Sequence, residues 1–170
     1  MSPYKLLPHL IGLFVAVSIC GCATGPKFTG PKTAHEQTAL LYVFRPNNPP
    51  YACKPAIIVN KVRAANLTNK GYFDLELQPG LYHIKADWHW NSGVPDSELT
   101  LRAERGHIYY VAIDSTMHST GFVASGITVV PIFRFDGGMG LLDSEAATSM
   151  IARCGEVRKL PGVDGQVLPQ

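Results

Sequence analysis

Charge is scarce in this chain. Of 170 residues, 15 are Lys or Arg and 13 are Asp or Glu, a formal net charge of +2 with no basic cluster. Nucleic acids recruit rows of cations to neutralise phosphates, so no nucleic-acid partner is expected. Long apolar runs are missing too. Residues 10–19 form the apolar run nearest the start, well short of the ~20 residues a helix needs to cross a bilayer, so a permanent transmembrane helix is not expected. No G-x-S-x-G elbow frames any serine, which removes the usual signature of an acyl-transfer nucleophile. Gly137-Gly138-Met139-Gly140 lacks the Lys and Ser/Thr of a phosphate loop and follows no βαβ unit, so it reads as a flexible link.

What the sequence does carry begins near its start. Lys5 is the only basic side chain ahead of the apolar run, and small residues follow at Gly21, Ala23 and Thr24. That order is a secretory signal. Ile19-Cys20-Gly21-Cys22 resembles a bacterial lipobox, with an aliphatic residue three before a cysteine and a glycine directly before it. Ile stands where Leu is commoner, and Cys20 where Ala, Ser or Thr is usual. The resemblance implies that the Cys22 thiol receives diacylglycerol, that the chain is cut before it, and that the new amino group is acylated. Two or three acyl chains give lasting attachment, each buried methylene contributing about 0.8 kcal/mol. The alternatives are a plain signal cut near Ala23 and a C-x-C metal site, the latter without a second ligand pair nearby. In a Gram-negative cell, Ala23 after the cysteine, rather than Asp, resembles the sorting pattern for the outer membrane, facing the periplasm.

With residues 1–21 as signal, roughly 150 residues remain, enough for one domain with a real core. Residues 22–37, with Gly25-Pro26 and Gly30-Pro31 and no periodicity, read as a flexible tether. The domain is expected over 38–156 and a loose tail over 157–170. Cys53 and Cys154 are the thiols left after processing. They are a candidate disulfide in a compartment that permits one; the alternative is two separate buried thiols.

Strand-length runs bounded by Pro, Gly and Asn dominate. Residues 39–45 and 56–60 are apolar, with Asn60-Lys61 as a turn. Over 72–77, Phe73, Leu75 and Leu77 alternate with Asp74 and Glu76. Pro79-Gly80 suits a type II turn. Tyr82, Ile84, Ala86, Trp88 and Trp90 then share one face, which predicts both tryptophans as core fillers. Strands over 99–104 and 107–114 follow, then a polar link, then a run over 126–135 in which Pro131 marks an edge or bulge. Asp143 can cap a helix over 144–153. About seven strands and one helix predict a mainly β fold, a small antiparallel β-sandwich with one C-terminal helix covering an end or edge.

Ala39-Leu40-Leu41-Tyr42-Val43-Phe44-Arg45-Pro46 and residues 75–84, with Pro79-Gly80 at their centre, resemble an uncharacterised bacterial lipoprotein family, the domain of unknown function 2846. The resemblance runs from about Thr38 to Asp114 and more loosely to Cys154. It implies a transthyretin-like or immunoglobulin-like sandwich and no activity. The chain departs from the family at Asn60-Lys61, where an Asp-Gly or Asn-Gly turn is common.

Three constellations could carry chemistry. His83, Asp87 and His89 alternate on one strand face and are candidate metal ligands, though a closed site needs about four and Lys85 lies among them. Ser115, His118 and Ser119 supply a nucleophile and a base in one segment, which otherwise reads as a polar loop. Residues 126–133 are apolar on both faces: a buried strand or, if exposed, a partner surface. The reading these support is a non-catalytic, lipid-anchored module needing no cofactor, with the membrane and an envelope-protein or cell-wall component as partners. A metal or small-ligand binder and a serine hydrolase are the alternatives.

Overall fold

The computed structural model describes residues 23–125 and 128–170. The signal, Cys22, Gly126 and Ile127 lie outside the described residues. Within them the alternating runs form nine strands in two sheets. Strands β1 (Ala39–Arg45), β4 (Gly71–Leu77), β7 (Ile108–Ser125), β8 (Thr128–Leu142) and β9 (Gly155–Glu156) make one sheet in the order β8-β7-β1-β4-β9. The other, in the order β3-β2-β5-β6, contains β2 (Ala56–Val59), β3 (Val62–Asn66), β5 (Gly80–Asp87) and β6 (Ser97–Ala103). Helices α1 (Ser144–Ile151) and α2 (Val163–Gln166) follow β8 and β9. The fold is a small β-sandwich, with pairing antiparallel except between β1 and β7 and between β4 and β9. No helix among the described residues is long and apolar enough to cross a membrane.

Side-chain alternation sorts β1 into two cores. Ala39, Leu41 and Val43 face the other sheet and meet Leu75, Ile113, Ile57 and Ile84, while Leu40, Tyr42 and Phe44 form an outer cluster with Tyr110, Ala147 and Ile151. A strand buried on both faces reads as one continuous apolar run, as 39–44 does. Helix α1 therefore lies over the outer face of the five-stranded sheet rather than at an end. The Asp143 carboxylate accepts from Ala146 N at 2.9 Å, and Ala147 and Ile151, one turn apart, point inward.

Asn60 and Lys61 both take left-handed backbone, φ 46° and 69°, the geometry of a two-residue type I′ hairpin turn. The departure from the family pattern thus keeps the hairpin. Asn60 compensates for the missing glycine by binding β5, its Oδ1 accepting from His83 N at 2.7 Å and its N donating to His83 O at 2.9 Å. Pro79-Gly80 carries the chain from one sheet to the other. Gly80, φ 153°, has no room for a Cβ, which would collide with Pro169.

Two segments expected to hang free are packed. In the tail, Val163 and Val167 enter the inter-sheet core, and Leu160 N donates to Ala64 O at 2.8 Å. Ahead of the domain, residues 23–37 form a strap rather than a tether. Phe28 sits edge-on to Tyr42 and Tyr72, and Lys32 Nζ donates to both Asp74 oxygens at 2.8 and 2.9 Å, which raises the lysine pKa. That strap is why Asp74, on the polar side of its strand, is buried.

Of the two readings open for Cys53 and Cys154, the structure has the separate thiols. Both thiols are free. Cys53 packs on the inter-sheet core and Cys154 in the outer cluster, so the five-stranded sheet separates them. Cys154 Sγ donates to Arg45 O at 3.5 Å, and burial pushes its thiol up to about 11.

Candidate functional site

The polar segment 115–119 and the glycines 137–140 are strand, not loop and link. β7 and β8 pair from Tyr110↔Leu142 out to Ser125↔Thr128, whereas β1 backs β7 only from Ile108 to Ala112. Beyond Asp114 the hairpin is therefore a two-stranded arm, with no third strand among the described residues. β8 is an edge strand, where Pro131 is tolerated.

The face of the arm that continues the core carries its large apolar side chains between small residues. Ile113 and Met139 touch the core; then come the pairs Ser115↔Gly137, Met117↔Phe135 and Ser119↔Phe133. Phe135 is half-buried, but Met117 and Phe133 are 44% and 49% exposed. Gly93 lies so close that a Cβ there would stand 3.1 Å from the Phe135 ring. Just before it is Trp90, 87% exposed and not a core filler. β5 ends at Asp87, and His89 caps a single 3-10 turn that swings Trp90 outward, while Trp88 stays buried. The arm's opposite face is polar, with His118 Nε2 3.4 Å and Arg134 Nε 3.5 Å from Asp136 oxygens. Past Ser119 the register slips, and Gly121, φ 147°, pairs Ile132. Ile132 and Phe133 are exposed, so the run expected to be a buried strand is open at this end.

Arg45 fixes the base of the arm. It is fully buried; Nε donates to Asn48 Oδ1 at 3.0 Å, Nη1 to Cys53 O at 2.6 Å, and Nη2 to Asn48 O and Pro50 O at 2.9 and 2.8 Å. Its guanidinium lies 4.8 Å from the centre of the Trp88 ring. Burial pushes it down to about 10, so it is cationic at neutral pH. The loop that Arg45 orders reaches the arm: Asn48 Nδ2 donates to Asp114 Oδ1 at 2.6 Å, and Ser115 Oγ donates to Pro49 O. Sequence reading assigned Arg45 only to a family pattern. Its one legible signal was a charge closing an apolar strand.

The other candidate residues do not converge. His83 Nε2 lies 3.1 Å from Glu98, Asp87 lies 3.7 Å from Lys85 Nζ, and His89 bonds Asn91 Oδ1 at 2.6 Å beyond the strand end. No group of three or more His, Cys, Asp or Glu among the described residues could hold a metal ion. Ser115 is buried and committed to Pro49 O, while His118 and Ser119, as neighbours on a strand, face opposite ways. A hollow of 710 Å³ between strap and sheet is lined by Lys32, Thr38, Asp74 and Glu76. Its carboxylates are engaged, Asp74 by Lys32 and Glu76 by Thr38 Oγ1 at 2.5 Å.

No curated protein and no solved structure matches the chain. A family model described as "Protein of unknown function (DUF2846)" matches residues 35–126. The match takes in β1 through β7, more than half of the chain, and the chain belongs to that family.

Proposed function

We propose that this protein is a lipid-anchored lipoprotein of the cell envelope whose β-sandwich is a non-catalytic accessory module, holding its hairpin arm ready for a protein partner. The arm carries this reading. A two-stranded hairpin is marginal in water unless something covers it, and this one presents apolar side chains and unpaired strand edges together. Free N–H and C=O groups on an edge are a template for a partner strand. Covering the exposed halves of Met117 and Phe133 would contribute about 1 kcal/mol each, roughly half of what full burial of such a side chain gives. The lipobox at Cys22 supports attachment to the envelope. The commitment of Ser115 Oγ to a backbone carbonyl supports a non-catalytic role.

The test is to purify the protein from crosslinked, mildly solubilised envelopes and identify what accompanies it. A specific protein is expected with the wild type and lost with Met117→Ser/Phe133→Ser. Cys22→Ser should release the chain from membranes. A partner retained by the arm variant would place binding elsewhere on the sandwich, and a Cys22→Ser chain that stays integral to the membrane would overturn the anchor.

A further inference from the structure

The start of the strap is fastened to the domain. Ala23 N donates to Asn69 O at 3.2 Å, Lys27 forms an antiparallel bridge with Gly155, and Phe28 N donates to Cys154 O at 3.4 Å. Glycines make room for this contact: a Cβ on Gly155 would stand 3.0 Å from the carbonyl oxygens of Ala23 and Gly25, and one on Gly25 would collide with Glu156 O. Cys22 precedes Ala23 by one peptide bond, and consecutive Cα atoms are ~3.8 Å apart. An acyl group on Cys22 would therefore leave no spacer between bilayer and domain, and the surface around Ala23 would be pressed onto the headgroups.

That surface is basic. Lys70 follows Asn69 and its carbonyl accepts from Gly155 N at 2.8 Å, while Lys27 Nζ donates to Arg153 O at 3.2 Å. Lys70 and Arg153 line a hollow of 400 Å³ with Pro46, Asn47, Met150 and Cys154. None of Lys27, Lys70 and Arg153 forms an ion pair among the described residues. Lys70 is held at φ 53°, a conformation that costs a residue with a side chain more than it costs glycine. The acidic residue beside Gly25, Glu156, is half-buried. Unpaired cations and the exposed Met150, on the side of the domain where Ala23 is fastened to Asn69 and Gly155, fit an anionic lipid surface.

We propose that the face formed by Lys27, Lys70 and Arg153 lies on the bilayer and takes the phosphate of an anionic phospholipid headgroup at the Lys70–Arg153 hollow. This rests on the lipid-anchor reading of Cys22. Anchor and basic face together fix the orientation of the domain, which a flexible tether would not.

The lipoprotein, purified from envelopes in detergent and reconstituted into vesicles, is labelled with an amine-reactive reagent and the rate at each lysine is read by mass spectrometry. In phosphatidylethanolamine–phosphatidylglycerol vesicles, Lys27 and Lys70 are expected to react about fivefold more slowly than in phosphatidylcholine vesicles, with Lys61 unchanged. High salt should erase the difference, and Lys70→Gln/Arg153→Gln should restore the reactivity of Lys27. Equal rates in the two vesicle types, with Cys22 acylated and the protein floating with the lipid, would overturn the basic face alone. An unmodified Cys22 and a chain that does not float would overturn the anchor and the face with it.

Discussion

The hairpin of β7 and β8 is one pair of strands in two environments. In its inner part Val111 and Ile113 are fully buried, with β1 hydrogen-bonded along β7 as far as Ala112. In its outer part Met117, Ile132 and Phe133 are 44–49% exposed and no third strand among the described residues adjoins. Cross-strand pairing continues through both, interrupted only by the register slip after Ser119. Backbone pairing therefore extends well beyond the apolar burial that stabilises the fold, and the outer part adds little to stability. Residues free of that duty can be shaped by a partner, and three large apolar side chains, Met117, Ile132 and Phe133, are exposed there.

The sharpest way to break the comparison is at the junction. Arg45→Ala removes a guanidinium and leaves three acceptors, Asn48 Oδ1, Asn48 O and Cys53 O, without the donor they have in the folded protein, while Pro50 O keeps Cys53 N at 3.3 Å. Each such group costs about 1–3 kcal/mol, so the expected loss is at least ~3 kcal/mol in urea unfolding. A loss under ~1 kcal/mol would show that the loop does not depend on Arg45. Next in size is Ile113→Ala in the inner part, expected to cost about 2–5 kcal/mol through lost transfer free energy and a cavity. A much smaller change would mean that the inner part is as loosely held as the outer.

Alkaline pH offers a third test, confined to the packed side. The folded Cys154 thiol titrates near 11 against an ordinary value of 9.0. Between those values the unfolded state binds fewer protons than the folded one, so stability falls as pH rises. Burial raises Tyr42 and Tyr82 as well, which adds to the fall. Arg45, lowered to about 10, has the opposite sign, and only above that value. From pH 9 to 10, Cys154→Ala should flatten the decline while lowering stability at neutral pH. An unchanged slope would assign the decline to the tyrosines.

The sandwich was legible because its signals are local. Alternation in 72–77 and 82–88 put Phe73, Leu75, Tyr82 and Ile84 inside, and Asp143 announced its helix. What was missed depends on contacts far apart in sequence. Phe28 looks like one aromatic in a Gly-Pro linker until Tyr42 and Tyr72 are seen to receive it. Residues 115–119 look like a loop because Met117 is their one apolar side chain, too little for an alternating pattern to show. Trp90 kept the period of its strand and was assigned to the core, but the chain turned after Asp87 and the period no longer applied. The metal face failed for the same reason, since His89 lies past that turn.

The smallest expected effect on stability is the most informative about function. Phe133→Ser changes a half-exposed side chain on a two-stranded arm, so unfolding free energy should shift by no more than about 0.5 kcal/mol. If Phe133 instead supported the core through its neighbour Phe135, the cost would approach that of a core truncation and the division between inner and outer parts would collapse. The same variant should lose the crosslinked partner in envelopes. Unchanged stability with lost capture would establish that the outer hairpin is kept for binding, because nothing in the folded monomer would account for its exposed apolar side chains. Unchanged stability with capture retained would move the partner site off this face, with exposed Trp90 as the next position to alter.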